Sequence, residues 1–372
     1  MNATLYETHL EFGKKGGMEA VQSAYDPMTT PYEVDEAAYP LTGTPEEQCT
    51  FLLRYVILSP STHNTQPWRF AVSREGIAVY GDYTRRMPVV DPGHRELLMS
   101  VGAAVFTLRV AADRFGFDCR VTYNYSGDSE RPLAVVALAP RPPRTPADEA
   151  LGSLFACIPR RHTNRNPFLL SRVPETLLRR IRGMSAGGGA SVTVSTDGRI
   201  NTEVGDLVAA AERMQLADPD FRGDLAEWVR PNWTHRPDGV TGAALGMTGI
   251  AAALTPWTTR MLDVSRMKAA ADRNLCIEAP GLVVLESEEA VPHWLDSGEL
   301  LQKLLLTLTR EGLHHSYFNM PVQVPDLRLR LRALLGLSSW PQILLRIGFS
   351  LTAPAVTPRR PVEDVLIESP YS

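Results

Sequence analysis

The sequence is poor in the features that announce the commoner kinds of chemistry and location. It has only 4 cysteines in 372 residues (Cys49, Cys119, Cys157 and Cys276), far apart and without a C-x-x-C pair. That argues against a thiolate zinc site or a dithiol redox motif, and for buried thiols in a reducing compartment. No apolar run approaches the roughly 20 residues that a spanning helix needs. The segment "MTGIAAALTPW" is too short and carries a proline near its end. The N-terminal "MNATLYETHLEFGKK" bears Glu7 and Glu11 and lacks the apolar stretch of a secretory signal, so a cytoplasmic location is expected. The formal net charge is only -4, which indicates neither a nucleic-acid nor a membrane partner. A G-x-G-x-x-G fingerprint, an H-E-x-x-H helix, a catalytic triad signature and paired carboxylates are also missing, and no metal site is expected.

What is present is an ordinary globular composition, 44% hydrophobic and 22% charged, long enough for two domains or one large one. Residues 1–40 mix acids, prolines and glycines, and read as an arm that packs on the body or is partly disordered. A helix is expected from "TPEEQCTFLLRYVIL", with Thr44 as cap, Glu46 and Glu47 in the first turn and Pro60 as the stop. Strands follow at "RFAVSR" and "GIAVYGD", a long helix ends at Gly116, and "CRVTYNY" and "LAVVALA" are strands. Four prolines in 139–150 mark the best linker. After it come helices at "ADEALGSLFACI", "PETLLRRIRGM" and "INTEVGDLVAAAERMQLA", strands at "ASVTVST" and "PGLVVLES", and a helix ending at Gly312. Gly102 precedes Gly116, and Gly298 precedes Gly312, by the same 13 intervening helical residues. Each half also has a Val-rich strand, "AVVAL" and "LVVLE", and the pattern points to a diverged tandem duplication.

Two polar constellations could carry chemistry. In "IPRRHTNRNPF", Arg160, Arg161 and Arg165 flank His162 and Thr163. Arginine forks suit phosphate, while the bland reading is a solvated basic turn. In "PSTHNTQPW", Pro60, Ser61, Thr62, Asn64, Gln66 and Trp68 combine hydroxyls, an amide and an apolar plate. That set suits the edge of a planar heterocycle, or else a loop whose polar groups satisfy their own backbone. A further pair, Arg359 and Arg360, lies near the C-terminus.

The resemblance to a known family adds to this. "PSTHNTQPW" followed by a strand resembles the Pro-Ser-x-x-Asn-x-Gln-Pro-Trp signature of the nitroreductase family of FMN-dependent oxidoreductases. "RRHTNRNPF" is similar to its Arg-Arg-x-Ser-x-Arg-x-Phe element, with Thr163 for serine, and "LRIGFSLTAPAVTPRRPVEDVL" resembles its C-terminal ending, with Phe349 for tyrosine. "VVDPGHRELLMSVGAAVFTLRVAADRFGF" and "HRPDGVTGAA" resemble the long-chain Acg-type subgroup. In an ordinary member the arginine element precedes the loop in one chain, and two chains build each FMN site. Here the loop comes first and the arginine element opens the second half, while "SAGGGASV" stands where the second loop would be.

The resemblance implies an α+β nitroreductase-like fold with two pseudo-symmetric halves, each a mainly antiparallel sheet flanked by helices, 41–138 and 151–372. It implies one FMN between the halves of a single chain, a monomeric pseudo-dimer or further homodimer, with NADPH or NADH as reductant and a small nitro, quinone or other organic acceptor. Arg161, His162, Thr163 and Arg165 would hold the phosphate and ribityl end, Arg359 and Arg360 would close over it, and Pro60, Ser61, Thr62 and Asn64 would address the ring. Gln66 and Trp68 are expected to be structural, and His314 and His315 to be surface or packing residues. Residues 215–262 are an insertion expected to form a lid over the flavin, as in the Acg-type subgroup, where restricted nicotinamide access suggests flavin sequestration rather than turnover. A scaffold without flavin is the third reading.

Overall fold

The computed structural model describes residues 25–126, 128–141, 151–187, 189–246, 257, 260, 261 and 263–368. Residues 1–24 of the arm, 142–150 of the linker and several positions between 247 and 262 of the insertion lie outside the described residues.

The first half begins with helix α1 (Pro45–Val56), closed by a reciprocal capping box. The Thr44 hydroxyl accepts from the Glu47 N–H, and the Glu47 carboxylate accepts from the Thr44 N–H. Strands β1 (Trp68–Ser73) and β2 (Gly76–Gly81) form a hairpin, helix α2 (Arg95–Arg114) follows, and β3 (Phe117–Tyr123) and β4 (Ala134–Pro140) complete an antiparallel sheet in the order β1-β2-β4-β3.

The second half repeats this plan with a long excursion. After α3 (Glu175–Arg182) come the short β5 (Ser185–Ala186) and β6 (Ala190–Ser195). The chain then leaves the sheet through α4 (Gly198–Ala217), α5 (Pro219–Ala226), the two-residue strands β7 (Val229–Arg230) and β8 (Val240–Thr241), and α6 (Ser265–Ile277). It returns as β9 (Gly281–Ser287), α7 (Val291–Arg310), β10 (His314–Tyr317), α8 (Met320–Gln323), α9 (Pro325–Leu334) and β11 (Trp340–Gly348). The second sheet runs β10-β11-β9-β6-β5. Replacing β1, β2, β4 and β3 by β6, β9, β11 and β10 reproduces the first order, so the duplication is written in the topology. The two Val-rich segments are not each other's counterparts: β4 corresponds to β11, and β9 to β2. The helix expected at "ADEALGSLFACI" is, in its described part, a 3-10 turn over Gly152–Cys157.

The halves join along α2 and α7. A Cβ on Gly102 would lie 2.1 Å from the Leu295 carbonyl oxygen, and one on Gly298 would lie 2.0 Å from the Met99 carbonyl oxygen. Each glycine thus meets the residue three before the other, so the crossing sits on the pseudo-twofold axis and lets two backbones touch. Both helices end on left-handed glycines, Gly116 (φ +85°) and Gly312 (φ +75°), as the spacing predicts.

The two sheets are buried differently. β3 alternates half-buried and exposed residues, so the first sheet faces solvent on one side. β9 is buried at every position, with the α3–α7 core on one face and α4, α6 and α9 on the other. Its apolar run "GLVVLE" follows from that double coverage. The halves also exchange segments. Leu154, Phe155 and Ile158 fill the first core, and the C-terminal stretch adds to β1, where the Phe70 N–H donates to the Val365 oxygen (2.8 Å) and the Ile367 N–H to the Phe70 oxygen (2.9 Å).

Candidate cofactor cavity between the halves

A cavity of about 870 Å³ opens between the halves. It brings together Pro60, Ser61, Thr62 and Asn64 from the first half with Arg161, His162, Thr163, Arg165 and Arg359 from the second. Arg360 stays outside its lining. Its backbone N–H donates to Gln66 Oε1 (2.9 Å) and its guanidinium to the Asp364 oxygen (2.6 Å), so it pins the C-terminal segment instead of facing the cavity.

The loop after α1 is conformationally costly. His63, Asn64 and Gln66 have φ of +46°, +56° and +52°, three of the four left-handed non-glycine residues among those described. Side chains hold it there. Ser61 Oγ accepts from the Gln66 N–H (2.9 Å), and Gln66 Nε2 donates to the Pro237 oxygen (2.8 Å). Asn64 Nδ2 donates to the oxygens of Gly239 and Pro358, both at 2.8 Å, and its Oδ1 accepts from Arg359 Nη1 at 2.7 Å. The Asn64 amide therefore spends its donors and an acceptor position on the protein, and its role in the structure is to tie loop, insertion and C-terminal segment together. Thr62 is likewise committed, donating to Glu96 Oε2 (2.9 Å). The Ser61 proton is left to donate. Trp68 is fully buried and structural.

The basic side is more revealing. Arg161, Arg346 and Arg359 are 3%, 1% and 2% exposed, yet no carboxylate pairs with them or with Arg165 among the described residues. The ion pairs nearby involve other arginines, such as Arg85 and Arg230 with Asp238. Among the described residues the Nε groups of Arg161, Arg346 and Arg359 have no hydrogen-bond partner. Loss of water pulls the Arg161 and Arg346 guanidiniums down to about 10, with Arg359 adding repulsion at Arg161. Arg165, donating to the Ala244 oxygen (2.8 Å), is lowered by the same desolvation. Buried cations cost free energy unless an anion meets them, and this group of arginines can receive one. Arg346, on β11, stacks over Phe168 at 4.0 Å and holds the Arg165 and Asn166 oxygens at 3.0 Å. Burial and then Arg161 push the His162 imidazole down to about 3, so it is neutral, and its ring lies 5.2 Å from that of Tyr32. His315 is a buried neutral packing residue on β10, and Ser316–Asn319 line the cavity beyond it.

The excursion covers this cavity. Trp228 is packed with Met87, Val90, Leu216 and Phe221, while Trp233 is exposed. The turn at 237–239 fastens to the strained loop, and Asp238 receives Arg85 (2.5 Å) and Arg230 (2.8 Å). Gly239 has φ +78°, and a Cβ there would lie 2.5 Å from the Trp228 carbonyl oxygen, so glycine is required.

No family model matches the sequence. Curated proteins of Mycobacterium tuberculosis H37Rv do, and two of them are informative by name. The putative NAD(P)H nitroreductase Rv3131 is 26% identical over 322 residues, 85% of this chain and 90% of its own. The putative NAD(P)H nitroreductase acg is 25% identical over 317 residues, 82% and 91% respectively. Among solved structures, the FMN- and NADPH-dependent nitroreductase NfnB from sphigopyxis sp. strain HMH aligns with TM-score 0.40 and 24% identity over 58% of this chain and 98% of its own. NfnB from Mycobacterium smegmatis, in complex with NADPH, aligns with TM-score 0.39 and 18% identity over the same shares. In sequence, then, the chain is similar over most of its length to curated proteins named as putative NAD(P)H nitroreductases.

Proposed function

We propose that this chain is an FMN-dependent oxidoreductase that binds one FMN between its halves and passes electrons from NADPH or NADH to a small organic acceptor. The carrying observation is the set of buried arginines without carboxylate partners around one cavity. Its volume lies in the range of small-molecule sites. Donor chemistry and size both fit a flavin mononucleotide. Arg161, Arg165 and Arg359, with the Thr163 hydroxyl and the neighbouring Arg346, would hold the phosphate end. Ser61 and the backbone of the 61–64 loop would meet the ring from the other half, with Ser316–Asn319 alongside. When bound, FMN supplies the two-electron relay; the protein supplies position, charge and exclusion of water. The visible spectrum of the purified protein tests this. One flavin per chain is expected; two per chain, or a colourless protein after FMN incubation, overturns it.

One observation favours a second reading, flavin storage with little turnover. The cover is tied to the loop at Asn64 and Gln66 and clamped through Asp238. Anaerobic mixing with NADPH or NADH separates the two: bleaching within seconds marks a reductase, and a spectrum bleached only by dithionite marks a store.

A further inference from the structure

Part of the cavity wall is not used by the flavin reading. Under the cover an apolar arm is lined by Leu216, Phe221, Leu225, Val264 and Leu275. Two carboxyls, Glu212 and Asp272, line the cavity here together with Lys268. Glu212 of α4 is 7% exposed, lines the cavity and makes no hydrogen bond among the described residues. The ammonium nearest to it, Lys268 Nζ, is 3.9 Å away and hydrogen-bonds Asp272 instead. Two cavity-lining carboxyls thus share one ammonium, and Glu212 holds it the more loosely.

We propose that Glu212 marks a subsite for the ammonium group of an apolar, amine-bearing molecule whose hydrocarbon or aromatic body fills the arm. A cation there completes a set of two acids and two bases and gives Glu212 the hydrogen bond it lacks, while the arm rewards burial of apolar surface. Neutral molecules of the same shape keep only the second contribution. The inference rests on the flavin reading for what the bound molecule is used for: it would be the class of acceptor, or its reduced product, brought beside the ring.

The charged surroundings define a pH dependence. Burial pushes the Glu212 carboxyl up to about 7; Lys268 opposes this and Asp272 adds to it. From α5, Arg222 is turned to the Leu216 oxygen and Asp224 to the Val89 and Val90 N–H groups. From α8, Gln323 is uncharged and bonded to Gln215, and on α9 Arg328 is paired with Glu289 while Asp326 and Arg330 are exposed. Arg213, on α4 itself, is exposed. Without ligand, Glu212 therefore ionises near neutrality, and a primary alkylamine is charged throughout that range.

The test is calorimetric titration of the full chain, with its flavin content read from the visible spectrum. The probes are 4-phenylbutylamine and its neutral counterpart 4-phenylbutan-1-ol. At pH 8 the amine should bind at least about tenfold more tightly than the alcohol, and between pH 8 and 6 amine affinity should fall about tenfold while that of the alcohol stays flat. Glu212→Gln should erase the preference. Equal affinities in the unmodified protein, or amine binding that ignores pH, overturns the proposal without reference to any variant. A colourless protein that prefers the amine keeps this subsite and sinks the flavin reading; a yellow protein indifferent to the amine does the converse.

Discussion

The connection between α1 and β1 and its counterpart between α3 and β6 occupy equivalent places in the duplicated topology, and they solve the same turn differently. The first puts His63, Asn64 and Gln66 into left-handed conformations and then holds them with bonds to the insertion and the C-terminal segment. The second uses Gly187 at φ +52°, where no side chain resists, and fits it so closely that a Cβ would lie 2.0 Å from an Asp296 carboxylate oxygen. One connection carries strain and polar groups beside a cavity; the other closes down on its neighbouring helix. After duplication, a single copy of each element is enough to build one site, and the spare copy relaxes into packing.

If the buried arginines serve an anion, Arg161→Ala with Arg165→Ala should lower FMN affinity by about 4 kcal/mol, or roughly a thousandfold, in a flavin-fluorescence titration. Arg161→Met should at the same time raise the melting temperature of the flavin-free protein, because an unpaired buried charge is removed. A fall in both would mean that the arginine is structural. The helix crossing makes the opposite claim, that the halves are equivalent. Gly102→Val and Gly298→Val should each destabilise by about 3 kcal/mol or more in urea unfolding, since the new atoms meet backbone. Unequal losses would break the symmetry of the junction. Glu212 belongs to the excursion that only the second half has. Its folded-state value near 7 lies above its ordinary 4.5, so the folded chain holds the extra proton. Stability should therefore fall as pH rises from 4.5 to 7, by on the order of 3 kcal/mol, and be flat above; Glu212→Gln should remove that slope. The smallest effect contrasts the two turns directly. His63→Gly should stabilise by about 1 kcal/mol and Gly187→Ala should destabilise by about as much, both read as urea midpoints. Shifts of the same sign would end the contrast.

Much of this was legible in the sequence where the signal is local. The Thr44–Glu47 cap, the left-handed glycines 116 and 312 and the β1–β2 hairpin each depend on neighbours within a few residues. The motifs around Ser61 and Arg161 marked residues that do line one cavity. What was not legible depends on distant partners. The Val-rich strands were paired by composition, but strand order decides equivalence, and β4 matches β11. The insertion, read as 215–262, belongs to a longer departure from the sheet between β6 and β9, because α4 and α6 pack the second sheet's outer face. Arg346 sits inside the apolar strand "ILLRIG", and a lone buried cation there was the available clue. Glu212 has Val208 one turn before it and Leu216 one turn after, an acid on an apolar helix face. The Asn64 amide reads as free in sequence; only the folded chain shows Gly239, Pro358 and Arg359 consuming it.

The exchange at β1 has a consequence for biogenesis. Phe70 receives its neighbours from Val365 and Ile367, which leave the ribosome only after the whole second half has been made. Until then the outer edge of the first-made sheet stands bare, a row of unpaired amides open to any other extended chain. The edge at Phe70 is therefore closed only when residues 365–367 of the later copy arrive.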